Sequence, residues 1–258
     1  MPSPTMADES YKELHLGPMP TETVEIFDRV VQARRSCRQF SDEPIPPHVV
    51  NQVLDWALLA PNSSNLQPWE FHVVRNPALR QKLTTASFDQ PAAATAQVMV
   101  VCVARRTTWR RNRKEMLRRF RAAKTPVPKK AMQYYEVITP LAYTQGPFGI
   151  LRPFKWLLFS ILGLFRPIPR FPVGQAQQRM WAEKTTALAC EHIMLGFKAH
   201  GFDSCPMEGF DAVRVKQILK LPADASVTMI ISAGRGTAEG IYGPRMRFER
   251  ENFVIQHD

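Results

Sequence analysis

The chain reads as an α+β protein, and three observations predict it. Short apolar runs of strand length, over 69–74, 98–103 and 227–233, are bounded by turn residues. Longer segments with apolar residues at helical spacing lie between them, one after Pro47 and one over 175–200. At 258 residues with 45% apolar content, the chain buries a full core of ordinary composition.

The elements follow in order. Residues 1–20 are rich in Pro, Ser and acidic side chains without an apolar signal-peptide core. They read as the main part of a tail, over 1–24, that is disordered or wraps a partner subunit. One domain is expected over 25–258. A helix should start near Pro47 and bury Val49, Val50, Val53, Leu54, Ala57 and Leu58, with Pro61 stopping it. The run 69–74 is a strand, 78–83 a short helix, and 98–103 a fully buried strand. A basic helix spans 105–124, and a Pro/Lys linker 125–130 follows it. The apolar run 156–165 is about 15 Å long as a helix, half the thickness of a bilayer core. A long helix over 175–200 should place Trp181, Thr185, Leu188, His192, Leu195 and Ala199 near one face and end at Gly201. A short helix over 213–219, a buried strand over 227–233 and a strand-like C-terminal FVIQ complete the chain.

Charge is uneven. The segment 105–170 holds 16 of the 34 Lys and Arg residues against only Glu115 and Glu136, a local charge of +14 that leaves the rest at −3. The whole reads as a near-neutral body carrying a basic, apolar insert over about 105–174. The four cysteines show neither metal-ligand spacing nor disulfide-scaffold density, which fits a reducing cytoplasm. No metal cluster, nucleophile elbow or phosphate loop is seen, and the histidines lie at unrelated spacings.

Two segments carry the chemistry. ARRSCRQF, over 33–40, packs Arg34, Arg35, Ser36 and Arg38 into five residues, a donor set suited to a phosphate ester. APNSSNLQPWEFHVV, over 60–74, sets Asn62, Ser63, Ser64, Asn65 and Gln67 between Pro61 and Pro68, a rigid hydrogen-bonding loop before a strand. With CPMEGFD over 205–211 and PRMRF over 244–248, this pair resembles the nitroreductase family of FMN-dependent oxidoreductases. The resemblance covers 25–104 and 175–258; the middle matches poorly.

The resemblance implies a mixed, mostly antiparallel sheet flanked by helices in an intertwined homodimer. Arg34 and Ser36 would hold the FMN phosphate, which Arg245 and Arg247 would close from the far end of the chain. Arg35 would meet the ring edge or ribityl chain. Arg38 would stand near N1 and O2, where negative charge gathers on reduction. Backbone groups of Met207, Glu208 and Gly209 would lie near N5. Pro61, Asn62, Ser63 and Asn65 would reach the flavin of the opposite subunit. The family's usual Asn is replaced here by Asp89, which can accept from flavin N3–H but cannot donate.

NADH or NADPH would reduce the flavin, which would pass hydride to a nitroaromatic, quinone or activated alkene in a ping-pong cycle. Two alternatives use the insert. One is a reductase of lipophilic acceptors on anionic lipid at the inner face of a membrane. The other is a non-enzymatic flavin protein that binds a polyanion such as nucleic acid. Against the first stands a plain lid helix with a solvated arginine face; against the second, the lack of a nucleic-acid module.

Overall fold

The computed structural model describes residues 18–146, 150–168, 172 and 174–257. The tail over 1–17 and Arg170, the last basic residue of the insert, lie outside the described residues.

Helix α1 (Thr21–Ala33) buries none of its side chains. It was not anticipated, although Phe27, Val30 and Val31 follow helical spacing, because its first turns fall within the stretch read as a polar tail over 1–24. Helix α2 (Pro47–Leu58) starts with proline in its first turn and buries Val49, Val50, Val53 and Ala57. Leu58, expected inside, is exposed, since it falls beside rather than on that stripe. Strand β1 (Trp69–Val74) follows the loop 61–67. Helix α3 (Pro77–Ala86) is capped by Asn76, whose Oδ1 accepts from Leu79 N at 3.0 Å. Helix α4 (Pro91–Ala94) leads to strand β2 (Val98–Arg105).

The insert departs most from expectation. Arg105 and its neighbours finish β2, so the basic helix α5 (Trp109–Ala122) starts later than its charge suggests. Lys129 and Lys130, read as linker, begin helix α6 (Lys129–Gln133). A π-helical turn (Tyr134–Ile138) joins it to α7 (Thr139–Tyr143). Helix α8 (Arg152–Phe165) ends this region.

The central helix α9 (Gln175–Ala199) ends before Gly201, which takes φ +77°. Its core face is Ala182, Thr186, Ala189, Cys190, Ile193 and Phe197. Of the face expected from spacing, Trp181 and Thr185 are buried, whereas Leu188 is exposed and His192 and Leu195 line a groove against α1. Strand β3 (Asp203–Met207), helix α10 (Ala212–Ile218) and strand β4 (Ala225–Gly234) follow. The tail FVIQ forms no strand with the described residues, and Phe253 and Ile255 are exposed.

The strands pair in the order β1-β2-β4-β3, every neighbour antiparallel. The parallel element is one isolated bridge, Ser36 to Ser204. Alternation along β2 explains why it is buried on both sides. Val98, Val100 and Cys102 face α2 and α9, while Met99, Val101 and Val103 face the cluster containing Leu83 and Val215 of α3 and α10. A third cluster joins Leu66, Trp109, Leu117, Tyr135, Tyr143 and Trp181, fastening the insert to the body. Trp69 is a core residue.

Candidate active site

The segment 34–40 runs along the free edge of β3. Cys37 N donates to Ser204 O at 3.1 Å, Arg38 N to Gly240 O at 2.9 Å, and Phe40 bridges Gly236. This clamp between β3 and the turn at 236–240 fixes which way each arginine leaves the backbone. It also needs Gly240: a Cβ there would lie 2.8 Å from both the N and the O of Gln39.

Four guanidiniums gather at this edge. Arg35 Nη2 donates to Gly243 O at 2.7 Å, and Gly243 takes φ +116°. Arg245 Nη2 donates to the carbonyls of Gln32 and Arg34, each at 2.7 Å. Arg38 Nη1 donates to Ser36 O at 3.3 Å and its guanidinium lies 4.8 Å from the Tyr242 ring centroid. Arg34 approaches Glu191 at 4.0 Å, the sole carboxylate in ion-pair range of these four among the described residues. Arg35, Arg38 and Arg245 are held by carbonyl oxygens and not neutralised by acids, whereas Arg34 has Glu191 at the edge of ion-pair range. Arg247 is exposed and donates to Met246 O, with no bond to the cluster.

Other arginines are spent differently. Arg235 is engaged by Glu43 at 2.9 Å and lies 4.6 Å from the Phe202 ring. Arg105 lies between Glu70 and Asp224.

The second side of the site comes from two loops bound to each other. Gln90 Nε2 donates to Gly209 O at 2.7 Å and Ser87 O at 2.9 Å, and Asp211 N donates to Ala86 O at 2.7 Å. Asp89 and the Glu208–Gly209 backbone are thereby brought together. Asp89 takes φ +51°, and its Oδ1 accepts weakly from Thr85 Oγ1 at 3.4 Å. Met207 is buried, while Glu208 and Gly209 are exposed. Asp211 caps α10 through its Oδ1. Burial raises the Cys205 thiol pKa, and the positive charge of Arg38 only partly offsets this.

The loop 61–67 forms a separate unit. Asn62 Oδ1 accepts from Gln67 N at 2.9 Å, and Asn65 Oδ1 accepts from Gln67 Nε2 at 3.2 Å. Left-handed φ values of 60°, 45° and 45° at Ser64, Asn65 and Gln67 turn the chain tightly. The Ser64 hydroxyl lies 2.6 Å from Tyr134 Oη and 3.3 Å from Tyr143 Oη, and Tyr135 Oη donates to Ser64 O at 2.7 Å. Three insert tyrosines thus pin this loop. No sequence signal pointed to them, since they stand about seventy residues away. Among the described residues no hydrogen bond joins 62–67 to 34–38. Pro61 lines the apolar groove of about 570 Å³ between α1 and α9, together with Phe27, Trp56, Leu188 and Glu191.

Residues 31–235 match the nitroreductase family model. The chain is 29% identical over 230 residues to an NADH dehydrogenase of Thermus thermophilus, covering 88% of this chain and 96% of that protein. A nitroreductase family protein from Streptococcus pneumoniae TIGR4 superposes with a TM-score of 0.64 at 18% identity, covering 90% of this chain and 100% of that one. A nitroreductase-type protein from Exiguobacterium sibiricum 255-15, solved in complex with FMN, does so at 0.63 and 21%, covering 90% and 97%. The chain belongs to the nitroreductase family. It is an FMN-dependent oxidoreductase that uses NAD(P)H.

The donor set at 34–38 and 245 fits such a group. Guanidiniums tethered to carbonyls keep further N–H donors and their charge for a phosphomonoester.

Proposed function

We propose that FMN binds with its phosphate on Arg34, Ser36 and Arg245, that Arg35 joins this set instead of the ring edge or ribityl chain because its guanidinium is tethered to Gly243 O beside Arg245, and that Arg247 joins only by reorienting its exposed side chain. The cluster of carbonyl-tethered arginines is the observation that carries this reading. FMN supplies the hydride chemistry, taking two electrons from NADH or NADPH and passing them to an acceptor. Arg38 holds a fixed cation beside the pyrimidine end of the ring, where its attraction grows as charge develops. Met207, Glu208 and Gly209 offer backbone along the ring edge, and Gln90 fixes that backbone by bonding Gly209 O. Asp89 accepts a hydrogen bond from N3–H. In a homodimer, Pro61, Asn62, Ser63 and Asn65 would complete the opposite subunit's site. Donor and acceptor would use one face in turn, which is ping-pong order. The acceptor is a small nitroaromatic, quinone or activated alkene.

A second reading, a lipophilic acceptor met at a membrane surface, is favoured by the exposed apolar side of α8. Anaerobic reduction with each nicotinamide, followed by mixing with an acceptor panel, tests the function. Bleaching of the oxidised flavin's visible absorption, and its return with one acceptor class, are expected. A protein that holds FMN but is reduced by neither nicotinamide would refute it.

A further inference from the structure

Helix α8 is inside out. Its stripe Phe154, Leu157, Leu158, Ile161, Leu164 and Phe165 follows helical spacing and points to solvent; Leu164 and Phe165 are 79% and 82% exposed. Trp156, about 80° round the helix from the nearest stripe residue, is exposed outside the stripe. The opposite side carries Lys155, only 8% exposed, whose Nζ donates to Ala142 O at 3.2 Å. Burial lowers the Lys155 pKa, so the helix places its amine where charge is disfavoured and its apolar side chains where water is. A continuous apolar strip of this kind marks a surface that something covers.

The surroundings limit the occupant. Fourteen residues make a helix about 21 Å long, short of a bilayer core of roughly 30 Å. No described helix is long and apolar enough to cross a membrane. The helix therefore lies along a surface. The same region carries +14 over 105–170, and Lys129, Lys130 and Arg166 are exposed. A second copy docking α8 on α8 would bring two such charges together. A nucleic acid would match the charge but leave Leu157, Ile161 and Leu164 uncovered. An anionic lipid surface answers both halves at once.

We propose that α8 docks in the plane of an anionic membrane surface. Its outer stripe enters the boundary with the acyl chains, and the exposed lysines and arginines of the insert rest on the headgroups. This contact does not depend on the acceptor, and it can be read without turnover.

The test uses the full chain with FMN and vesicles of phosphatidylcholine, with and without about one third phosphatidylglycerol. Co-sedimentation should occur with the anionic vesicles and fall at least tenfold at about 0.5 M salt, where screening shortens to a few ångströms. A tryptophan placed in the stripe by Phe154→Trp should shift its emission to the blue on binding. Leu157→Gln/Leu164→Gln/Phe165→Ser should cut binding at least tenfold and abolish that shift. Lys129→Glu/Lys130→Glu/Arg166→Glu should remove the preference for anionic lipid. The flavin spectrum and melting temperature of each variant verify folding. Absence of wild-type binding at low salt overturns the proposal. So does equal binding by the apolar variant, which would mean adsorption by charge alone. Sedimentation velocity showing that the apolar substitutions only dissociate an assembly, with vesicle binding unchanged, would assign α8 to self-contact and overturn it too.

Discussion

Arg38 and Arg235 show one residue type put to two uses. Arg235 is neutralised by Glu43, whose carboxyl lies below its usual range chiefly because of that hydrogen bond. Arg38 has no carboxylate partner among the described residues; it rests on Ser36 O and Tyr242. Its charge is therefore not neutralised by an acid, and the proposed function uses it at the flavin ring. Arg38→Gln should slow flavin reduction about a hundredfold, from loss of roughly 3 kcal/mol of electrostatic stabilisation, while weakening FMN binding much less. Stopped-flow absorbance measures the first and fluorescence titration the second; an unchanged reduction rate would show the residue misassigned. The cluster 34–38 was legible in the sequence because its residues are adjacent. The roles of Gln90 and Tyr242 were not, since each acts on a segment that only folding brings near.

The elements show where local pattern governs and where tertiary packing does. Helix α2 and strands β1, β2 and β4 appear close to where pattern placed them; α2, β2 and β4 each bury a long apolar stripe, while β1 buries only Trp69 and Val74 and is marked by its flanking prolines and turn residues. Helix α1 carries an apolar stripe, Phe27, Val30 and Val31, but it starts inside the stretch read as a polar tail and buries no side chain. The start of α5 was obscured because Arg105 looks like part of a basic helix, yet it closes β2 by pairing with Glu70 and Asp224. Asp224 also accepts from Thr107 Oγ1 at 2.6 Å, joining the strand end to the approach of α5. Burial raises the Asp224 pKa, but hydrogen bonds from Arg105 and Thr107 outweigh it and the net shift is downward. A carboxylate depressed on folding contributes stability that is complete above the ordinary aspartate range and is lost as pH falls through its lower folded value. Asp224→Asn should therefore cost about 2 kcal/mol at pH 7, or roughly 4–8 °C. That gap should narrow below about pH 4. Melting curves that keep a constant gap down to about pH 3 would deny the ionised pair its role. The turn at 238–240 makes a second test. Gly240→Ala places a Cβ against the Gln39 backbone. It should shift the segment carrying Arg38 and cost about 1–3 kcal/mol by overpacking. Flavin retention on dilution should fall, and a variant with native retention and melting temperature would show that the close approach is not needed.

At the scale of the molecule, a sheet covered on both faces supports an arginine-rich edge at β3, proposed to take the phosphate, and a basic insert tied to the loop 62–67. The motifs made the class readable because phosphate recognition needs several arginines within reach of one another, and 34–38 supplies most of them in sequence. The insert was readable in composition but not in form. Its Lys155 turns inward to Ala142 O while Leu157, Leu158 and Leu164 face solvent, an orientation that spacing alone does not assign. The account's central claim is that the cluster of Arg34, Arg35 and Arg245 recognises a phosphomonoester. Comparing FMN with riboflavin, which lacks only the phosphate, tests this most directly. Isothermal titration of the flavin-free protein should show FMN binding at least about a hundredfold tighter, since each charge-assisted bond contributes roughly 1.5–3 kcal/mol. Arg34→Ala/Arg245→Ala should erase most of that preference while leaving riboflavin affinity unchanged. Equal affinity of the wild type for the two flavins, or a preference that survives the double substitution, would contradict the account.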